Sequence, residues 1–203
     1  MNVCAIVLAA GSSRRFGMNK LLLPFGAQSV IQSTLATVVT ADITHIKIVT
    51  GHDATRIEQQ VTQFCNDRVT LVRNADHNAG EMLSSIKVGL RAMEATDALA
   101  ALVVLGDQPL LQGSVLRSLL ARHKQHPNEI IAPVYRNQRG HPVLFPRRFW
   151  AELLELPPDG NPRDVIRKHA GDLQLLEAPD DTILLDVDTA DAYAHVKLRA
   201  GLT

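Results

Sequence analysis

Three short stretches of the chain hold the residues best suited to chemistry. The first reads Leu8-Ala9-Ala10-Gly11-Ser12-Ser13-Arg14-Arg15-Phe16-Gly17-Met18-Asn19-Lys20. Its small residues let the backbone turn tightly and approach a ligand closely. Successive N–H groups in such a turn cradle an anion, and Arg15 and Lys20 add positive charge beside it. A triphosphate needs this combination: N–H donors for its non-bridging oxygens, and cations for the charge that builds at the attacked phosphorus. The second stretch, Gly106-Asp107-Gln108-Pro109, directly follows the apolar run 98–105. Phosphoryl chemistry uses Mg²⁺ held by one or two carboxylates, with phosphates and water completing the octahedron. Asp107 is placed to be one of them. The third, Leu185-Asp186-Val187-Asp188-Thr189, sets Asp186 and Asp188 two residues apart, hence on one face of an extended strand end. Asp188 is the preferred second metal ligand and Asp186 the alternative; a blander role for Asp188-Thr189 is to cap the final helix.

The first stretch has neither the Gly-Lys-Ser/Thr of a P-loop nor the Gly-x-Gly-x-x-Gly of a dinucleotide site. No Ser-His-Asp or Cys-His set is evident, and the histidines other than His141 are scattered without metal-ligand spacing. Alone, Gly-Ser-Ser is most often only a turn, and Gly-Asp-Gln-Pro is a turn as readily as a metal site. What raises them above turns is the elements that carry them.

Residues 3–9 and 98–105 are unbroken apolar runs, as fully buried strands are. Residues 46–50 and 69–73 read as further strands. Between them apolar residues recur at helical spacing: Val30, Ile31, Leu35, Val38 and Val39 within 29–40; Ile57, Val61 and Phe64, with Asp53 as cap; Leu83, Ile86, Leu90 and Met93; and Val115, Leu116, Leu119 and Leu120, with Ser114 as cap. This βαβαβ order predicts an α/β fold with a doubly wound, mostly parallel, Rossmann-like sheet. Ligands then belong outside the carboxyl ends of the strands, at the loops after Ala9, Thr50, Arg73 and Leu105. The last third is less regular. Residues 130–134 and 141–145 predict a hairpin about the polar turn 135–140, residues 183–186 one more strand, and Thr189 the cap of a final helix. This third is expected to be a small antiparallel addition that shapes an acceptor pocket.

The chain has 203 residues, which suits a single domain spanning 1–203. Lys+Arg and Asp+Glu both total 21, so no net charge draws nucleic acid or an acidic membrane. Aromatic residues, at 4%, are too few for a base-stacking platform. Cys4 and Cys65 form neither a metal pair nor a disulfide framework and read as reduced thiols. No basic segment precedes the first apolar run, and no run is long enough to span a bilayer. The expectation is a cytoplasmic protein with neither nucleic acid nor membrane as partner.

Positions 8–20 resemble, without a gap, the signature Leu-Ala-Ala-Gly-x-Ser-x-Arg-x-Gly-x-x-Lys of the small nucleotidyltransferases that include the molybdenum cofactor cytidylyltransferases. Gly-Asp-Gln-Pro at 106–109 and Asp-x-Asp-Thr at 186–189 resemble the same family. The resemblance implies that Leu8, Ala9, Ala10, Gly11, Ser12 and Ser13 wrap the NTP phosphates, that Arg15 and Lys20 contact them, and that Asp107 binds Mg²⁺. The Ala-Ala-Gly form is similar to the CTP-using members rather than the GTP-using ones. Gly80, Ser84 and Ser85 fall where the family's Gly-x-x-x-Ser-Ser region reads the base; by themselves they are also an ordinary polar helix start. Gly140-His141-Pro142 is similar to the family's Gly-His-Pro near the acceptor, where His141 can bond an acceptor phosphate. The molybdopterin-using members carry Gly-Asp-x-Gly-Ala-Arg late in the chain. Here Pro158-Asp159-Gly160-Asn161-Pro162-Arg163 keeps Asp159 and Arg163 in register but departs at the other fixed positions.

The resemblance implies a Mg²⁺-dependent enzyme that moves a nucleoside monophosphate, CMP favoured, from an NTP to the phosphate of a small acceptor. The favoured acceptor is the molybdenum-molybdopterin cofactor, with pyrophosphate released and a cofactor-accepting apoenzyme as a further partner. Rival readings are a nucleotidyltransferase for a sugar phosphate or another phosphorylated metabolite, a glycosyltransferase, and a non-catalytic protein that delivers a nucleotide-bearing cofactor.

Overall fold

Apolar runs without polar interruption suit strands buried on both faces, and two of them form the middle of the sheet. The computed structural model describes residues 2–12, 18–76 and 81–202. Its strands are β1 (Val3–Ala9), β2 (Pro24–Phe25), β3 (Gln28–Ser29), β4 (His45–Thr50), β5 (Val69–Arg73), β6 (Ala100–Leu105), β7 (Ile130–Tyr135), β8 (Gln138–Arg139), β9 (Val143–Pro146) and β10 (Leu173–Glu177). Its helices are α1 (Val30–Val38), α2 (Ala54–Val61), α3 (Glu81–Arg91), α4 (Gly113–Gln125), α5 (Trp150–Glu155), α6 (Pro162–Lys168) and α7 (Ala190–Arg199). The main sheet runs β10-β7-β9-β6-β1-β4-β5, with β8 added to β7, while β2 and β3 form a separate hairpin. The fold is mixed α/β, with a mainly parallel sheet and a small antiparallel part.

Register places the chemistry. β1 pairs in parallel with β6, Leu8 opposite Leu105, and with β4, Ala9 opposite Thr50. β4 pairs in parallel with β5, Thr50 opposite Arg73. The ends marked by Ala9, Thr50, Arg73 and Leu105 therefore share one edge. Alternate residues of each strand feed two cores. Ala5, Val7, Leu102 and Val104 face α1, α2 and α4; Cys4, Ile6, Ala101 and Val103 face α3, α5 and α6. Each fully buried Ile or Leu here contributes about 1.5–3 kcal/mol by leaving water. Leu102→Ala would cost about 2–5 kcal/mol through lost contacts and the cavity left behind. Among the described residues no helix is long and apolar enough to cross a membrane.

The structure corrects several local expectations. Asp53 does occupy the N-cap of α2, but in the left-handed region at φ 56°, and its side chain makes no cap bond. Its carbonyl instead accepts from Arg56 and Ile57 N–H at 3.0 and 3.1 Å. α4 starts one residue before Ser114, with Gln112 as N-cap; the Ser114 hydroxyl donates to Gln112 Oε1 at 3.1 Å. Residues 183–186 are not a strand. Asp180 Oδ1 accepts from Thr182 N–H at 3.0 Å and closes a 3-10 turn over Asp181–Leu184, after which the chain runs extended outside the sheet. The expected hairpin closes earlier, between β7 and β8, with Arg136 and Asn137 left-handed at φ 47° and 65°. After it β9 enters the sheet antiparallel between β6 and β7. The last third also adds α5, α6 and the parallel edge strand β10, none of which the apolar spacing marked. Thr189 caps α7 as expected, accepting from Ala192 N–H at 3.1 Å.

Candidate active site

The ends of β1 and β6 touch at Gly106. A Cβ there would lie 2.6 Å from the Leu8 carbonyl oxygen, so a larger residue would push the strands apart. The Gly106 N–H bonds that same oxygen at 3.0 Å. Asp107 follows, buried, and its carbonyl accepts from Val187 N–H at 3.1 Å. Gln108, also buried, donates from Nε2 to the Ile183 carbonyl at 3.1 Å. These two bonds draw residues 183–188 against the end of β6. Val187 sinks into the core, and the carboxylates on either side of it meet Asp107. Ligand oxygens of Asp107, Asp186 and Asp188 all lie within 4.8 Å of one another.

Lys20 reaches the same point from the first loop. Asn19 Oδ1 accepts from Leu21 N–H at 3.1 Å and caps a single 3-10 turn, Lys20–Leu22, which buried Leu21 and Leu23 anchor. The Lys20 ammonium hydrogen-bonds Asp107, and Asp188 at 2.5 Å. Burial alone would lower its pKa, but the two carboxylates outweigh burial and raise it, so the ammonium stays charged. Asp186 shows the opposite stress. Burial, then the charges of Asp107 and Asp188, push its carboxyl up to about 6, against the pull of Lys20. Three carboxylates facing one ammonium leave negative charge in excess. That oxygen set suits a hard divalent cation, which would relieve the repulsion.

Along the first loop, Ala9 and Ala10 are buried, Leu8 and Ser12 half-buried and Gly11 exposed. Among the described residues, a Cβ on Gly11 would meet nothing within 4 Å. The packing of the described residues therefore does not demand glycine at this strand end. Arg15, Ser13 and Gly80 lie outside the described residues.

On the other face of β9 a cavity of about 700 Å³ opens, and His141, Asp159 and Arg163 all line it. Gly140 makes this wall possible, because a Cβ there would collide with the Ile183 carbonyl oxygen. His141 N–H bonds that same carbonyl at 3.1 Å. Burial pushes the His141 imidazole below its ordinary value; the Val103 backbone and the charge of Asp107 pull it up, and that of Arg163 pulls it down. His141 thus feels both the carboxylate cluster and the cation of the cavity. Its Nδ1 is enclosed with no hydrogen-bond partner among the described residues.

Residues 5–173 match the family described as the MobA-like NTP transferase domain. The chain belongs to that family. It is 25% identical over 194 residues to the molybdenum cofactor cytidylyltransferase of Escherichia coli (strain K12), covering 96% of this chain and 95% of that one. It is 27% identical over 199 residues to the purine catabolism protein PucB of Bacillus subtilis (strain 168), covering 95% and 94%. The crystal structure of Rv0371c from Mycobacterium tuberculosis H37Rv superposes with a TM-score of 0.82 at 28% identity, covering 98% of each chain. A second structure of that protein, described as a complex with manganese, superposes with a TM-score of 0.73 at 26% identity, again covering 98% of each chain.

Within this MobA-like chain, three residues carry parts that the sequence did not single out. Asn74, 2% exposed, donates from Nδ2 to Ser84 Oγ at 2.9 Å and Ser85 Oγ at 3.1 Å. Its own N–H bonds the Thr50 carbonyl at 2.7 Å, so both serines are tied to the end of β5. The available signal was a polar residue directly after a strand, at one of the four loops where ligands belong. Gln108 stood inside the second stretch without a role; the structure makes it the brace between Asp107 and the Ile183 turn. Arg139 lines the cavity from β8, and only the folded hairpin brings it there.

Proposed function

We propose that this chain, acting as one nucleotidyltransferase domain over residues 1–203, moves CMP from CTP to the phosphate of a small acceptor, the molybdenum-molybdopterin cofactor, and releases pyrophosphate. The observation that carries this reading is the meeting of Lys20, Asp107, Asp186 and Asp188 at the strand edge where the first loop leaves β1. The printed name of the Escherichia coli relative supports cytidylyl transfer to this acceptor, and the manganese complex of the mycobacterial structure supports a divalent cation.

In this reading Asp107, Asp186 and Asp188 hold Mg²⁺, which when bound supplies positive charge to the α-phosphate and to the attacking oxygen. An acceptor phosphate oxygen forms a bond to the α-phosphorus in line, the bond from that phosphorus to the β-phosphate oxygen breaks, and pyrophosphate carries the electron pair away. The acceptor phosphate is already ionised near neutral pH, so the chain need not supply a general base. Lys20 exchanges its carboxylate partners for phosphate oxygens and steadies the leaving charge, and Arg15 adds a second cation. Backbone N–H groups from Leu8 to Ser13 receive the non-bridging oxygens. Gly80, Ser84 and Ser85 meet the base, while His141, Asp159 and Arg163 receive the acceptor. An apoenzyme that takes up the finished cofactor is a further partner, and the cytoplasm is the expected location.

The test is pyrophosphate release with Mg²⁺, offering CTP, GTP, ATP and UTP in turn against molybdenum-loaded molybdopterin. Release with CTP supports the reading. Release with another NTP overturns the base, and release only with other phosphorylated acceptors overturns the acceptor.

A further inference from the structure

Asn74 directly follows β5, and each side of its amide has a different neighbour. Its backbone N–H donates to the Thr50 carbonyl at 2.7 Å, which fastens it to the end of β4. Its Oδ1 accepts from Asp76 N–H at 3.1 Å. Its Nδ2 donates to Ser84 Oγ at 2.9 Å and to Ser85 Oγ at 3.1 Å. A backbone N–H can only donate, so the amide atom that meets Asp76 is the oxygen and the atom that meets the serines is the nitrogen. The amide is therefore locked in one orientation, with one proton for each hydroxyl.

That orientation sets the polarity of Ser85. A hydroxyl has one proton and two lone pairs. Asn74 takes a lone pair of Ser85 Oγ, which leaves the proton to be donated. Ser85 is buried, and among the described residues its hydroxyl donates to no protein group. A buried donor gains when a ligand brings the acceptor it lacks. The hydroxyl at the end of β4 cannot serve instead: Thr50 Oγ1 donates to Glu58 Oε1 at 2.9 Å, and Arg73 holds that carboxylate through two bonds of 2.7 and 2.6 Å. On the pairing edge of a base, cytosine carries a lone pair on its ring nitrogen, whereas uracil and guanine carry a ring N–H. A hydroxyl that must donate favours the first and is left facing a second donor by the others.

We propose that Asn74 is a positioning residue that determines specificity: by donating to Ser85 it makes that hydroxyl a donor, and the donor selects a base with a ring-nitrogen lone pair, cytosine, over bases with a ring N–H. This rests on the reading that Ser84 and Ser85 meet the base, and it adds the residue and the hydrogen-bond polarity by which the base is chosen. Asn74 acts through Ser85 and not on the reacting atoms.

The experiment is calorimetric titration of the full chain, with Mg²⁺, by CTP, UTP and 3-deaza-CTP, in which a C–H replaces the ring-nitrogen lone pair. The readout is the ratio of affinities, in which any general effect on triphosphate binding cancels. Wild type is expected to bind CTP about 10- to 100-fold more tightly than either of the others, the size of a buried donor left unpaired. Ser85→Ala should remove most of that preference. Asn74→Asp keeps the shape but can only accept, so it draws the Ser85 proton to itself. The preference for CTP over UTP should then fall about 10-fold or more, while the added charge weakens both nucleotides alike. Asn74→Ala, which adds no charge, should lower the preference by a smaller factor and serves where the buried aspartate unfolds the chain. In the Ser85→Ala background neither change at Asn74 should alter the preference further. Three results overturn the proposal: wild type binds UTP as tightly as CTP, the Asn74 variants weaken CTP and UTP equally as a merely structural role would, or they lower the preference as much without the Ser85 hydroxyl as with it. The reading beneath it fails separately, and takes the proposal with it, if Ser85→Ala leaves the affinity of every nucleotide unchanged or wild type binds none.

Discussion

The carboxylate cluster at the end of β6 and the cavity behind β9 share one carbonyl oxygen, that of Ile183, which Gln108 Nε2 and His141 N–H both bond. They are otherwise built in opposite ways. At the cluster Lys20 already bonds two of the three carboxylates, so the charges arrive arranged before any ligand does. At the cavity Arg139, Arg163 and Asp159 stand without partners among the described residues. Prearranged charge lowers a reaction barrier because nothing has to reorganise during the chemical step. Unpaired charge around a cavity selects a ligand, because the ligand supplies the missing partner. On the proposed function, the first region is the place of reaction and the second the place of choice.

The largest expected effects test the first half of that contrast. Asp107→Asn and Lys20→Ala should each lower pyrophosphate release by about 10²- to 10³-fold with any acceptor, the usual loss for one electrostatic contact at a reacting centre. Circular dichroism should show both variants folded. Normal turnover in folded Lys20→Ala would remove Lys20 from the machinery. The same variant should bind Mn²⁺ more tightly without nucleotide, as read by electron paramagnetic resonance, because Asp107 and Asp188 lose their ammonium partner.

A smaller effect joins the two regions. Gly140→Ala places a methyl group against the Ile183 carbonyl and should cost about 1–3 kcal/mol in denaturant unfolding, the range for overpacking. Because the same segment carries Asp186 and Asp188, turnover should fall as well. Lost stability with unchanged turnover would show that the segment moves without disturbing the carboxylates, and the two regions would then be independent.

The smallest effect concerns pH. His123 in α4 is fully buried with both ring nitrogens unpartnered among the described residues, and burial pushes it below 6.5, as it does His141. The unfolded chain protonates these histidines first as pH falls. Stability contributed by keeping them neutral is therefore complete above pH 6.5 and is lost as pH drops through their lowered folded values. His123→Leu should flatten that acid-side slope in urea melts without changing acceptor KM. His141→Asn should flatten the slope and raise acceptor KM. A change of acceptor KM in His123→Leu would blur the line between core histidine and cavity histidine.

The parallel half of the fold was legible because burial on both faces writes itself as unbroken apolar sequence. β1 falls on the apolar run 3–9 and β6 within the run 98–105, and the four loops expected to face ligand lie on one edge. The last third was less legible for a physical reason. β10 is a half-exposed edge strand, and α5 and α6 are short, so none of them carries a long periodic stripe. Asp53 and Ser114 have the residue types of helix caps, but side-chain preference is a weak force beside the backbone path that packing imposes there.

For the site, residue type and order marked Lys20, Asp107, Asp186 and Asp188, and the resemblance to the nucleotidyltransferase family marked His141, Asp159 and Arg163. Only the tertiary structure decided that Asp186 and Asp188 both meet Asp107, through one bond from Val187 to the Asp107 carbonyl and burial of the valine between them. It alone brought Arg139 and Arg163 to the lining of one cavity, since a two-residue strand held by its neighbour has no signature of its own. Contacts between residues 20, 107 and 188 span most of the chain. Local sequence does not encode such distances; the closing of the sheet does.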